Sequence, residues 1–169
     1  MKATTFSLSG IFSAILLSSC TYVVFEQSIP PKYPEVEGIS ERFQGKWSNG
    51  DDSFTITQGE VKDAELGLFD DAETIFKEDG DWLYVNFFAE GFHHVGIGNL
   101  ISHDQLEIFW FDPGEDGLIE SLKKVTKVKE VYDEEGEIDA YVLNPSKAQW
   151  QVIQDERLFT STGTYSRVD

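Results

Sequence analysis

Histidine, cysteine and clustered carboxylates are the side chains here with metal, nucleophile or base chemistry. The histidines are His93, His94 and His103. Adjacent residues of a strand point to opposite faces, so His93 and His94 cannot close on one metal ion in regular geometry. His103 falls in the following turn. The pattern reads as polar residues at strand ends. Asp112-Pro113-Gly114-Glu115-Asp116-Gly117 starts like a calcium loop. That pattern wants an acid or Asn at its third position and Glu at its last, where this chain has Gly114 and Lys123. It reads as a solvated turn, as do Asp79-Gly80-Asp81 and Asp133 to Glu137. There is no G-x-S-x-G, no H-E-x-x-H and no phosphate-binding glycine loop. The expectation is therefore a non-enzymatic protein with no catalytic residue, no metal and no cofactor. A hydrolase using a carboxylate pair is the alternative, although no pair is marked out. Cys20 is the only cysteine and has no disulfide partner. What remains open to it is nucleophilic attack by its thiolate.

The residues before Cys20 are those of an export signal. Lys2 is the only charge among the first 25 residues. It precedes an apolar run through Phe6, Leu8, Ile11, Phe12, Ile15, Leu16 and Leu17, and then Ser18 and Ser19. The run is too short to span a membrane permanently. Leu17-Ser18-Ser19-Cys20 resembles the lipobox of bacterial lipoproteins. The resemblance covers residues 1–20 and implies cleavage before Cys20, diacylglycerol on its sulfur and acylation of the new amino group. Two or more chains anchor a protein stably where one does not. Thr21, rather than Asp, follows the Cys. By the same resemblance that implies an outer-membrane protein facing the periplasm.

Charge and composition then bound the partners. Removing residues 1–19 takes away Lys2 and no acid, which leaves 12 basic against 31 acidic residues and a net charge of −19. Such a surface disfavours nucleic acid and anionic lipid, and suits a basic partner. The 13 Phe, 6 Tyr and 4 Trp are enough to build a core. A chain of about 130 residues after the signal and tether folds as one domain without disulfides. The divisions expected are a signal peptide over 1–19, a lipidated Cys and Pro-containing tether over 20–36, and one mainly-β domain over 37–169. Pro30, Pro31 and Pro34 carry the tether reading, because proline-rich segments favour an extended backbone.

The elements that must position any site are strands. One helical turn is predicted within Glu37 to Phe43, and Ser53 to Thr57 alternates as a strand. Val61 to Phe69 is ambiguous, with Leu66, Leu68 and Phe69 apolar. Thr74 to Lys77 and Trp82 to Phe88 flank Gly80 as a hairpin. His94 to Ile101 and Gln105 to Phe111 form a second, and Val125 to Tyr132 with Ile138 to Leu143 a third. Leu118 to Leu122 is ambiguous, with a helical turn as the reading offered. Ala148 to Glu156 reads as a short helix, started by Ser146 with Gln149 or by Asn144 with Pro145, with a strand as the alternative. Gly163 to Val168 is the last strand. The fold class expected is an antiparallel β-meander or small β-barrel with one or two short helices.

Gly45-Lys46-Trp47, with Arg167 on the final strand, is similar to the lipocalins and related up-and-down barrels. In that family a first-strand Trp packs across the barrel base against a last-strand Arg. The resemblance rests on one tripeptide and one Arg. It implies a barrel and a carrier of a small apolar ligand. Beside it stands the expectation from charge: a membrane-anchored, non-catalytic envelope protein that presents an acidic face to a basic partner.

Overall fold

The computed structural model describes residues 21–63 and 73–168. Cys20, the whole export signal, and Leu66, Leu68 and Phe69 lie outside the described residues. Among the described residues, eleven strands and two helices follow in order: β1 (Tyr22–Phe25), β2 (Gly45–Ser48), β3 (Ser53–Ile56), β4 (Val61–Asp63), β5 (Glu73–Asp79), β6 (Trp82–Ala89), β7 (Phe92–Ser102), β8 (Gln105–Trp110), α1 (Leu118–Val125), β9 (Val128–Tyr132), β10 (Ile138–Leu143), α2 (Lys147–Asp155) and β11 (Thr160–Val168). The fold is mainly β, as the strand alternation and turn spacing predict.

The meander is local in origin. Gly80 turns β5 into β6 with φ +57°. Glu90 and Gly91 turn β6 into β7 with φ +54° and +87°, the left-handed pair that matches strand twist in a two-residue turn. Ser102 to Gln105 closes the β7–β8 hairpin. The sheet runs β4-β3-β2-β11-β8-β7 and divides at β7. One edge of β7 carries β6 and then β5. The other edge is shared. Its C-terminal half pairs with β8 from Ile97↔Phe109 onward, and its N-terminal part meets β1 at His93↔Phe25. From β1 the sheet continues through β10 to β9.

The central parts of β6 to β8 bury residues on both faces, Leu83 and Tyr84 on β6 and Leu106 and Phe109 on β8 among them, which explains apolar residues at both strand parities there. On one face Tyr84, Val95, Ile97 and Phe109 pack under the two helices, with Leu122 and Trp150 wholly buried. On the other, Leu83 and Leu106 pack with Trp47, Ile56 and Tyr165 inside the curl of the sheet. Helix α2 starts at Ser146, whose hydroxyl accepts from the Gln149 N–H while the Gln149 side chain accepts from the Ser146 N–H. Trp150 and Ile153, three apart, then face the core, each burial contributing about 2 kcal/mol. The ambiguous Leu118 segment is a full helix, with Leu118, Ile119 and Leu122 inward.

Two expectations need correction. The sheet is not a closed barrel. Closure needs a continuous ladder with a fixed stagger, and among the described residues β4 and β5 do not pair. At one end the chain itself passes near both: Val36 bridges Phe76 of β5, and the Ile39 N–H donates to the Gln58 carbonyl, 2.8 Å. The sheet is also mixed, because β1 lies parallel to β10 from Tyr22↔Ala140 to Phe25↔Leu143.

The second correction concerns the expected tether over 20–36, much of which is built into the domain. Val23, Val24 and Phe25 are buried in β1, and Ile29 is wholly buried. The apolar residues of this stretch satisfy their backbone groups in the sheet. The carbonyls around Pro30 are met by two buried polar side chains. Asn86 accepts from the Ile29 N–H through Oδ1, 2.6 Å, and donates to the Ile29 carbonyl through Nδ2, 2.7 Å. Lys77 Nζ donates to the carbonyls of Ser28, 3.1 Å, and Pro30, 2.9 Å.

Candidate functional site

The curl of the sheet encloses an apolar cup of about 170 Å³. Its walls come from β3, β4, β6, β7, β8 and β11, and the principal contributors are Phe54, Leu83, Val85, Leu106, Ile108 and Tyr165. Strand alternation places them there. Leu83 and Val85 project to the same face of β6, Leu106 and Ile108 to the same face of β8. Opposite Val85 and Leu83 stand Gly96 and Gly98 of β7. A Cβ added at Gly96 would meet nothing within 4 Å, whereas one at Gly98 would sit 3.3 Å from Leu106 Cδ1. Gly96 therefore leaves space that any side chain would reduce. The polar lining is sparse: Asp52, Thr162 and the Tyr165 hydroxyl, which lies 3.5 Å from Asp52 Oδ2.

Below this space lies a fixed base. Trp47 is wholly buried and its Nε1–H donates to the Phe43 carbonyl, 2.9 Å. The Arg167 guanidinium covers the indole with Cζ 4.3 Å from the ring. Its donors go to main-chain carbonyls: Nε to His103, 3.1 Å, Nη2 to Arg42, 2.7 Å, and Nη1 to Gln44. Gly45 has φ +136°, and a Cβ there would lie 2.7 Å from Arg167 Nη1. Glycine is thus required at Gly45 by both backbone and contact. The turn before β2 is held in the same way. The Glu78 carboxylate accepts from the Ser40 N–H and hydroxyl, each 2.8 Å, and lies 3.6 Å from Arg42.

A second concavity, of about 420 Å³, opens at the fork of the sheet. Among the described residues, no strand is aligned on that edge of β7 with His94 to Gly96, between the registers of β1 and β8. Tyr22, Tyr141, Trp110, Phe87 and His94 line it, with Asp112 at its margin. Phe87 and Trp110 border both spaces.

The histidines lie where strand geometry puts them. His93 packs on Phe88 with centroids 5.0 Å apart, and His94 stacks on Phe87 at 5.4 Å and 5°. Burial lowers the pKa of both below the usual histidine value. His103 is in the β7–β8 turn and offers its carbonyl to Arg167. Among the described residues, no three His, Cys, Asp or Glu side chains converge as metal ligands. Asp112 Oδ1 accepts from the Gly114 N–H, 2.8 Å, and its carbonyl from the Glu115 N–H, 3.1 Å. This acidic stretch is the turn that leads into α1. Asp133 Oδ1 likewise accepts from the N–H groups of Glu135 and Glu137, each 2.9 Å, at the β9–β10 tip.

Lys77 and Asn86 were not marked out by sequence reasoning. The available signal was a single polar residue within an apolar strand, Asn86 between Val85 and Phe87. The Lys77 pKa is lowered by burial, partly opposed by Glu35. The Tyr84 hydroxyl, kept protonated by burial, and the Trp150 Nε1–H are both inside the helix-side core, with their rings 5.8 Å apart.

Comparison with protein-family models, curated proteins and solved structures found no match for this chain. Among the described residues no helix is long and apolar enough to cross a membrane.

Proposed function

We propose that this protein is a non-catalytic binding domain for a small apolar ligand, held at a bacterial envelope membrane through a lipidated Cys20. The observation that carries the ligand reading is the apolar cup, open at Gly96 and nearly free of polar lining. A space of this size matches a compact ring or a short acyl segment; a dry cavity of about 150 Å³ takes up benzene. The aliphatic and aromatic walls provide no general acid or base. The lipobox and the preceding apolar run support the anchor, and Thr21 supports an outer-membrane destination.

The test is binding of an environment-sensitive apolar dye to the full-length protein. The native chain is expected to enhance dye emission saturably, and Gly96→Val to suppress it while thermal stability is kept. Equal enhancement by both proteins would remove the cup as the site.

A second reading has its own support. The turn from Asp133 to Glu137 is exposed and carries four carboxylates in five residues, which suits a basic envelope protein. That association is expected to weaken steeply with salt. Capture that resists high salt would count against it.

A further inference from the structure

We infer that the crevice at the fork of the sheet is a binding site for an organic cation, namely a quaternary or alkylated ammonium group. Its volume of about 420 Å³ falls within the range of small-molecule sites, roughly 300–1,000 Å³. It is a structural gap. β1 and β8 pair with different parts of the same edge of β7, and aromatic residues of β1, β6, β7, β8 and β10 line the space between them.

Three features select a cation. First, the lining is rich in aromatic side chains: Tyr22 from β1, Trp110 from β8, Tyr141 from β10, and Phe87 with His94 from the β6–β7 pair. Ring faces attract an ammonium group through their quadrupole, most strongly for Trp, and aromatic cages use this to hold alkylated ammonium. Second, the rings fix one another. His94 lies parallel to Phe87 at 5.4 Å and meets Tyr22 nearly edge-on, at 5.8 Å and 78°. Third, the only charged residue lining the space is the carboxylate of Asp112, and no Lys or Arg reaches it among the described residues. Burial also disfavours a charge on His94. An anion meets Asp112 and a strongly acidic protein. Among the described residues, a bare metal ion finds one carboxylate and no cluster of ligands. A neutral apolar molecule is better served by the neighbouring cup. An ammonium whose charge is spread over alkyl groups satisfies both the rings and Asp112. The crevice shares Phe87 and Trp110 with the cup, but the proposal rests neither on a ligand in the cup nor on the lipid anchor.

The experiment is titration of the full-length protein, in a nonionic detergent, with choline chloride and with its uncharged carbon isostere, followed by calorimetry and tryptophan emission. Choline is expected to bind saturably at millimolar concentration or below, and the isostere at least about tenfold more weakly. Asp112→Asn keeps an oxygen for the Gly114 N–H, so the turn persists. It is expected to weaken choline about three- to tenfold and to leave the isostere unchanged. Trp110→Leu is expected to abolish choline binding, with circular dichroism reporting retention of the fold. Equal affinity for choline and its isostere would overturn the proposal in favour of a neutral apolar pocket. Absence of saturable choline binding would overturn it outright.

Discussion

The guanidinium of Arg167 lies 4.3 Å above the ring of Trp47 while its donors hold the main chain of the turn that precedes that Trp. One side chain on β11 therefore fixes the indole, the entry into β2 and the β7–β8 turn together. Arg167→Ala is expected to cost about 2–3 kcal/mol, through three lost charge-assisted bonds and the cation–π contact. Arg167→Lys should recover less than half of that, because an ammonium cannot fork to three separated carbonyls. Urea unfolding of the two variants checks the order. Equal stability of Ala and Lys variants would deny the fork its role.

Asn86 and Lys77 pin residues 28–30 to the β5–β6 hairpin. Truncation by Asn86→Ala leaves the Ile29 N–H and carbonyl buried without partners, at a cost of about 2–3 kcal/mol. The local consequence is release of the N-terminal segment. Trypsin should then cut after the exposed Lys32 faster in the variant, with the remaining strands protected. Unchanged cleavage at Lys32 would show that β1 alone retains the segment.

Acid should destabilise the domain before its carboxylates titrate. Burial holds the folded pKa of His93 and His94 below the usual histidine value of about 6.5. As pH falls through that value the unfolded chain takes up protons that the folded chain refuses, so stability declines. Near His94, Glu90 opposes this shift and His93 adds to it. Thermal unfolding between about pH 7 and 5 should show a fall that His94→Phe reduces. A variant with the native slope would assign the effect elsewhere.

The start of α2 offers a small, clean perturbation. Ser146→Ala removes the hydroxyl that accepts from Gln149 and should cost about 1 kcal/mol. Gln149 also donates to the Val125 carbonyl, so Gln149→Ala should cost more, loosening the junction of the two helices. Denaturant midpoints of the two variants give the ranking.

Replacement of Cys20 by Ser should move the protein from the membrane to the soluble fraction and remove the mass of the acyl chains. Retention in membranes with an unchanged mass would end the lipid-anchor proposal.

What could be read from the sequence was what is decided locally. Gly80 between two apolar runs marked the β5–β6 hairpin. Ser146 and Gln149 marked the start of α2, although Pro145 kept a second start open until packing chose between them. Gly45-Lys46-Trp47 and Arg167 were noticed together as a Trp–Arg pairing, but only the structure shows why the first of them must be glycine. The rest is set at long range. β1 pairs with β10 across more than a hundred residues, and nothing in Tyr22-Val23-Val24-Phe25 names that partner. The nearby prolines suggested a linker because composition cannot tell that Lys77 and Asn86 will bury their carbonyls. The division of β7 between two neighbours creates the aromatic crevice, and it has no signature in any single stretch of chain.

The early start of β1 has a mechanical meaning for a lipoprotein. Tyr22 is already a sheet residue, two positions after Cys20, and extended chain covers about 3.3 Å per residue. A lipidated Cys20 would leave the domain roughly 7 Å of slack. It would be moored close to the bilayer with one end permanently down, unable to reach across the periplasm as a tethered domain does. Thr21 lines the aromatic crevice, so that opening would lie at the lipid headgroups. Whatever the crevice holds would be met at the membrane surface.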